Sequence, residues 1–204
     1  VTEKKGFDVG TTAICCYPRQ EGFIKTISGL LQASLQKTSS APNNRKILFS
    51  AHGIPKKFVV DGDPYESHVN VTVDAILQDL DMPDLDYTVC YQSRVGPVEW
   101  LRPYTDEVII KAARKGQTII VVPVAFVSEH SETLVELDIE YRDLAIRHGA
   151  AGYIRTPTVG VNTLFIAGIA QMVIEAVRAR GVFCSGGLIC AKDCPTCPIN
   201  QAAT

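Results

Sequence analysis

The chain has 204 residues, 46% of them apolar and 21% charged, with a formal net charge of −2. That balance leaves no basic footprint for nucleic acid, and the longest apolar runs are strand-length, far short of the roughly 20 residues a membrane span needs. Val1 to Gly10 is polar and lacks the apolar core of a secretory signal, and there is no initiator Met, so the natural N-terminus is expected upstream.

In chain order, Ala13 to Tyr17 reads as a short apolar strand. A helical pattern follows from about Gln20 to Gln36, then a polar linker broken by Pro42. Lys46 to Ala51 (KILFSA) is continuously apolar, as expected of a strand buried on both faces. A Gly/Pro/Asp-rich loop runs to Pro64, and a helix is predicted over Tyr65 to Leu80. Tyr87 to Gln92 is the next strand, Ser93 to Pro103 a loop, and Asp106 to Lys115 a helix ending at Gly116 as C-cap. Gln117 to Phe126 is the most β-rich run. A long acidic helix is predicted from about Ser131 to His148, then a short strand at Tyr153 to Thr156 and a closing helix over Asn162 to Arg180. Such alternation predicts an α/β fold with a parallel sheet and helices on both faces, in three layers. In such folds ligands bind beyond the carboxyl ends of the strands. Those ends deliver Ser50 and His52, then Gln92 and Ser93, then Ser128, Glu129 and His130.

Three segments carry candidate chemistry. His52 sits at a strand tip before Gly53 and Pro55, which set a tight turn. It can reach a cleft, or serve as a structural His bonded to a loop carbonyl. Glu132, Glu136 and Glu140 recur every fourth residue, so on a helix they stack along one face with Glu129 and His130 just before them. Leu134, Leu137, Ile139 and Tyr141 are left for the packing faces. Like charges at that spacing repel by roughly 0.2–0.5 kcal/mol each, and no Lys or Arg follows before Arg142. An acidic stripe is ordinarily a solvated face; directly after a strand end it is also a route for cations or protons. The third segment, Tyr91 to Glu107, holds the only Trp, Trp100, among turn residues near Ser93. Trp100 there either lines a pocket or plugs the core.

The blocks FSAHGIP (Phe49 to Pro55), GDPY (Gly62 to Tyr65), YQSRVGPVEWLRPYTDE and PVAFVSEHSETLVELDIEY together resemble ferrochelatase, in order and spacing, over about residues 13–180. The resemblance is to the C-terminal half of that enzyme. It implies a chelatase-like half-domain over residues 1–182, with 1–12 a crossover from an N-terminal half, and a cysteine-rich tail over 183–204. It implies a lyase that inserts ferrous iron into protoporphyrin IX to give protohaem, the terminal step of haem biosynthesis. His52 then matches the active-site His and Glu132 the carboxylate paired with it at the Fe²⁺ position. Glu129, His130, Glu136 and Glu140 match a proton or metal path, and Ser93 and Trp100 match pocket residues. Protoporphyrin IX, Fe²⁺ and the missing N-terminal half are the expected partners, along with a homodimer. The expected location is cytoplasmic, peripheral to the inner face of a membrane. The isolated chain is expected to be inactive or weakly active. Other readings are a chelatase for coproporphyrin or cobalt, and a non-catalytic haem or metal carrier.

The seven cysteines divide unevenly. Cys15, Cys16 and Cys90 fall in apolar runs, where a Cys usually behaves as a small buried hydrophobe. Cys184, Cys190, Cys194 and Cys197 crowd the tail, and four thiolates suit Zn²⁺ or an iron–sulfur cluster equally on ligand count; a tail of free thiols is the third reading. The family resemblance implies a [2Fe–2S] cluster there, with one ligand from upstream unless Cys184 replaces it. Cys15 and Cys16 are poor ligand candidates if their run is a buried strand.

Overall fold

In the computed structural model, described here for residues 12–179, 181–184 and 190, four parallel strands form the central sheet in the order β3-β2-β4-β5. These are β2 (Arg45–His52), β3 (Tyr87–Gln92), β4 (Thr118–Pro123) and β5 (Gly152–Arg155). β2 is central because its side chains are apolar on both sides. Ile47, Phe49 and Ala51 enter one core with Ile120 and Val122 of β4, while Leu48 joins Ile119 and Val121 in the other. Helices α1 (Glu21–Gln36) and α3 (Tyr65–Leu80) cover the first face. Helices α4 (Thr105–Ala113) and α5 (Tyr141–Arg147) cover the second, which confirms the three-layer α/β expectation.

The chain winds from β2 to β3 on one side and to β4 and β5 on the other. The switch point therefore lies between the carboxyl ends of β2 and β4, where an open parallel sheet leaves a crevice. His52 is the last residue of β2, and the loop from β4 leads directly to Glu132.

Several elements differ from the sequence expectation. The long acidic helix is a nine-residue π-helix, Glu132–Glu140, continued by α5. Its i→i+5 bonding is rarely used for more than a single turn, and then mostly at functional sites. Leu137 is its buried apolar residue, whereas Leu134 (47% exposed) and Ile139 (55%) face outward rather than packing. A short helix, α2 (Lys56–Val60), occupies part of the loop before Pro64. The N-terminal apolar run is only partly a strand. β1 (Thr12–Ile14) pairs in parallel with β6 (Gly181–Phe183) in a separate two-stranded sheet, and Cys15 and Cys16 are half-buried beside it rather than core residues. β6 spans the expected boundary between domain and tail. α6 (Thr163–Ala179) packs on α1 through Phe165, which meets Phe23 at 5.6 Å between ring centroids. No helix among the described residues is long and apolar enough to cross a membrane.

Candidate active site

β2 brings His52 to the crevice with its side chain 41% exposed, accessible to a ligand while anchored at one edge. His52 Nδ1 lies 2.6 Å from Glu132 Oε2 across the switch point. A carboxylate only accepts, so this contact places a proton on Nδ1, and in the neutral imidazole the lone pair is then on Nε2, turned away from Glu132. The Tyr65 hydroxyl donates to the His52 carbonyl at 2.8 Å and fixes the strand tip; burial first, then the charges of Glu132 and Asp63, push this phenol up to about 12. It therefore stays a donor throughout the neutral range.

Gly53 permits the approach that holds His52 in place. Its N–H donates to the Gln92 carbonyl at 2.8 Å, and a β-carbon on it would sit 2.8 Å from that same oxygen and 3.3 Å from the Trp100 ring. Gly53→Ala is expected to force the tips of β2 and β3 apart and to cost about 1–3 kcal/mol, measured by urea unfolding. Trp100 is buried, with Nε1 donating to the Val95 carbonyl at 3.0 Å, so its ring backs the His52 turn.

Glu136 is the hub of the second layer. It accepts from the Ser93 N–H at 2.9 Å, from Ser93 Oγ, from Gln92 Nε2 at 3.1 Å and from the Tyr141 hydroxyl at 2.9 Å. Ser93 reaches it from a left-handed backbone conformation (φ 63°) and also donates to Glu132 at 3.3 Å. Gln92, 1% exposed, has its amide oxygen satisfied by Ser50 at 2.8 Å, so a buried chain runs Ser50–Gln92–Glu136. Such a filled network rigidifies a site. His130 Nδ1 accepts from the Glu132 N–H at 3.2 Å, and its ring lies over Phe126. Glu140 is exposed at the far end of the π-helix.

Glu129, first of the acids, is not unpaired as expected from the sequence. Glu129 is bound by Arg155 Nη1 at 2.9 and 3.0 Å and by the Thr158 N–H at 3.0 Å. Burial works to raise the Glu129 carboxyl, but hydrogen bonds from Thr133, Thr158 and Arg155 outweigh it and hold the group below its ordinary range. A lowered carboxyl favours the folded state above the unfolded value near ~4.3, and that contribution is lost as pH falls through the folded value. The stability advantage of the wild type over Glu129→Gln is therefore expected to be full above about pH 5 and to be lost as pH falls through the lowered folded value, read by urea unfolding across acidic pH.

An open apolar groove of about 310 Å³ is lined among others by Tyr17, Phe23, Tyr65, Val69 and Val124. Tyr65 is shared by groove and site. Sequence reading did not single out Tyr17, Tyr65 or Arg155, although Tyr65 stands in the GDPY block and Arg155 ends a strand.

Cys16 Sγ and Cys184 Sγ lie 3.5 Å apart, brought together by the β1–β6 pairing. Cys16 is thus a better ligand candidate than its strand-like run implied. Cys190 Sγ lies instead 3.4 Å from His68 Nε2, and Cys194 and Cys197 fall outside the described residues. No group of three or more His, Cys, Asp or Glu among the described residues forms a metal site.

The crevice at the switch point, its imidazole–carboxylate pair and the apolar groove define a protein of the chelatase-like α/β class. The fold is similar to that of the solved SirB from Bacillus subtilis with Fe³⁺ (TM-score 0.51, 14% identity, covering 76% of this chain and 55% of that one). The ferrochelatase family model matches residues 1–177, and the chain belongs to that family. It is 43% identical over 202 residues to the ferrochelatase of Caulobacter vibrioides, covering 98% of this chain and 57% of the relative. It is 45% identical over 171 residues to that of Rickettsia felis, covering 84% of this chain and 48% of the relative. The chain spans about half the length of these curated relatives.

Proposed function

We propose that this chain supplies the C-terminal half of an enzyme that inserts Fe²⁺ into protoporphyrin IX, with His52 and Glu132 at the metal position. The observation that carries the reading is the 2.6 Å contact between His52 Nδ1 and Glu132 at the switch point, with Tyr65 shared between that site and the apolar groove. Metallation removes two pyrrole protons and strips water from the incoming ion. In its neutral form His52 accepts one pyrrole proton at Nε2, directed away from Glu132, or ligates the ion there; Glu132 stabilises the imidazolium formed in the first case, and the remaining pyrrole proton leaves to solvent. The groove binds the flat tetrapyrrole through apolar contact, and that binding energy is available to distort the macrocycle. His130, Glu136 and Glu140 lead outward as the proton or metal path, and Ser93 orients Glu132 and Glu136. The rival carrier reading predicts porphyrin binding with no turnover.

A partner half is supported by surfaces that this chain leaves open. Val161 (90% exposed), Ile174 (48%) and Val177 (69%) form an apolar outer face near and along α6. The parallel β1–β6 pair has no third strand among the described residues, whereas parallel strands normally lie inside larger covered sheets. The N-terminal half is the occupant we assign to these surfaces. The expected result is that the 204-residue chain alone inserts no iron and that mixing it with the separately expressed N-terminal half restores insertion. Val177→Glu in α6 is expected to weaken this association at least tenfold by titration of the two halves. Association unaffected by the glutamate would remove α6 from the interface. Homodimerisation and peripheral attachment to the inner membrane face belong to the same proposal, tested by sedimentation and vesicle co-pelleting of the full-length protein.

For the cysteines, a tetrahedral site with metal–sulfur bonds of about 2.3 Å needs thiolates about 3.8 Å apart. Cys16 and Cys184, at 3.5 Å, fit two corners of such a site. Cys190, Cys194 and Cys197 are the candidates for the remaining corners. A [2Fe–2S] cluster held there would be a structural or redox group outside the His52 site, and Zn²⁺ fits the same pair. Anaerobically purified protein with visible charge-transfer bands identifies the cluster; one Zn per chain with no such bands identifies zinc.

A further inference from the structure

A nine-residue π-helix needs tertiary support, because its hydrogen bonding is less favourable than that of the α-helix it replaces. Beside the core anchor at Leu137 and the ties of Ser93 and Gln92 to Glu136, one side chain outside the segment binds two acids at once. Arg155 ends β5, the edge strand beside β4, and its side chain is only 10% exposed. Nε and Nη2 form a fork on Asp138, at 2.9 Å to Oδ1 and 2.8 Å to Oδ2. Nη1 binds both oxygens of Glu129 and, at 3.3 Å, the Thr156 carbonyl. Glu129 lies three residues before Glu132, and Asp138 six residues after it. One planar guanidinium thus ties the chain on both sides of the carboxylate that meets His52. Lysine cannot reproduce this, since a point charge makes no planar fork.

We propose that Arg155 is a positioning residue for iron insertion, setting the register of the π-helix so that Glu132 meets His52. This rests on the iron-insertion reading above. Arg155 touches neither His52 nor Glu132 in any hydrogen bond, so its effect passes through Glu129 and Asp138. Glu129 is accordingly an anchor for the segment.

The test uses Arg155→Lys, which keeps the charge and loses the fork. In the 204-residue chain labelled with ¹⁵N-histidine, the His52 Nδ1–H proton shared with Glu132 is assigned by its disappearance in His52→Ala. Its signal is expected to fall by at least half in Arg155→Lys. In the full-length protein, turnover is expected to drop at least tenfold with porphyrin KM within twofold. In a Glu132→Gln background the same substitution is expected to cost less than twofold, because the contact it positions is already gone. Equal losses in both backgrounds, or an unchanged His52 signal, overturn the proposal. If Arg155→Lys does not fold, Asp138→Asn removes one arm of the clamp and is read the same way. If the full-length wild type inserts no iron, the iron-insertion reading fails, while the His52 signal still decides whether Arg155 sets the contact.

Discussion

His52→Ala in the full-length protein is expected to lower the rate of iron insertion at least ~100-fold while leaving porphyrin affinity within about threefold. The separation follows from the geometry. The apolar groove that would hold the macrocycle is lined by Tyr17, Phe23, Tyr65, Val69 and Val124, none of which changes with the imidazole. His52 contributes an imidazole aligned through Nδ1 by a carboxylate and still partly exposed at the strand tip. A hundredfold loss corresponds to about 2.7 kcal/mol of transition-state stabilisation, an ordinary cost for removing a general base or metal ligand. Glu132→Gln is expected to cost less, about tenfold, since an amide oxygen still accepts from Nδ1–H but cannot balance an imidazolium. The measurement is anaerobic loss of porphyrin fluorescence as metal enters, with a direct titration for porphyrin binding. A His52→Ala rate within threefold of wild type would remove His52 from the chemistry. Normal binding with no turnover in the wild type would instead favour a carrier.

The parts of this arrangement that were legible in the sequence are those decided by local pattern. KILFSA reads as a doubly buried strand because every residue from Ile47 to Ala51 is in fact buried between two layers of helices. That strand ends at His52, so the site's position on the sheet was readable. The helices α1 and α3 were readable from their apolar periodicity; α4 was too, but it ends at Ala113 with Arg114 as C-cap, and Gly116, at φ +67°, turns the chain two residues later instead of capping the helix. What was hidden depends on contacts distant in sequence. Nothing in Glu132–Glu140 distinguishes i→i+5 from i→i+4 bonding over so few residues. Glu129 looked unpaired because the local stretch lacks cations, whereas its counter-ion is Arg155, 26 residues later. Cys16 and Cys184, 168 residues apart, meet only because β1 and β6 pair. β1 also shows how a short apolar run misleads: paired only with β6 among the described residues and with its own residues exposed or half-exposed, it is a surface strand and not a core one.

Leu137→Ala is expected to be the most destabilising change in the π-helix, at about 2–5 kcal/mol. The segment buries only two side chains, Thr133 and Leu137, so its attachment to the sheet is concentrated at one point. Leu137 is fully buried in the core formed with Leu48, Ile109, Ile119 and Val121, and its carbonyl accepts the Tyr153 hydroxyl at 2.7 Å. Truncation leaves a cavity that β2 and β4, hydrogen-bonded on both sides, have little freedom to fill. For a chain of this size a loss of about 3 kcal/mol lowers Tm by roughly 6–12 °C. Global unfolding is only part of the effect, because the site hangs from the same segment. With Leu137 gone, the polar ties of Arg155 and Ser93 must hold Glu132 and Glu136 alone. Amide exchange is therefore expected to accelerate across 132–140 beyond what the global loss explains, with β2 tracking the global value. A Leu137→Ala cost below about 1 kcal/mol, or uniform acceleration across the chain, would mean that the clamp at Arg155 holds the π-helix without help from the core.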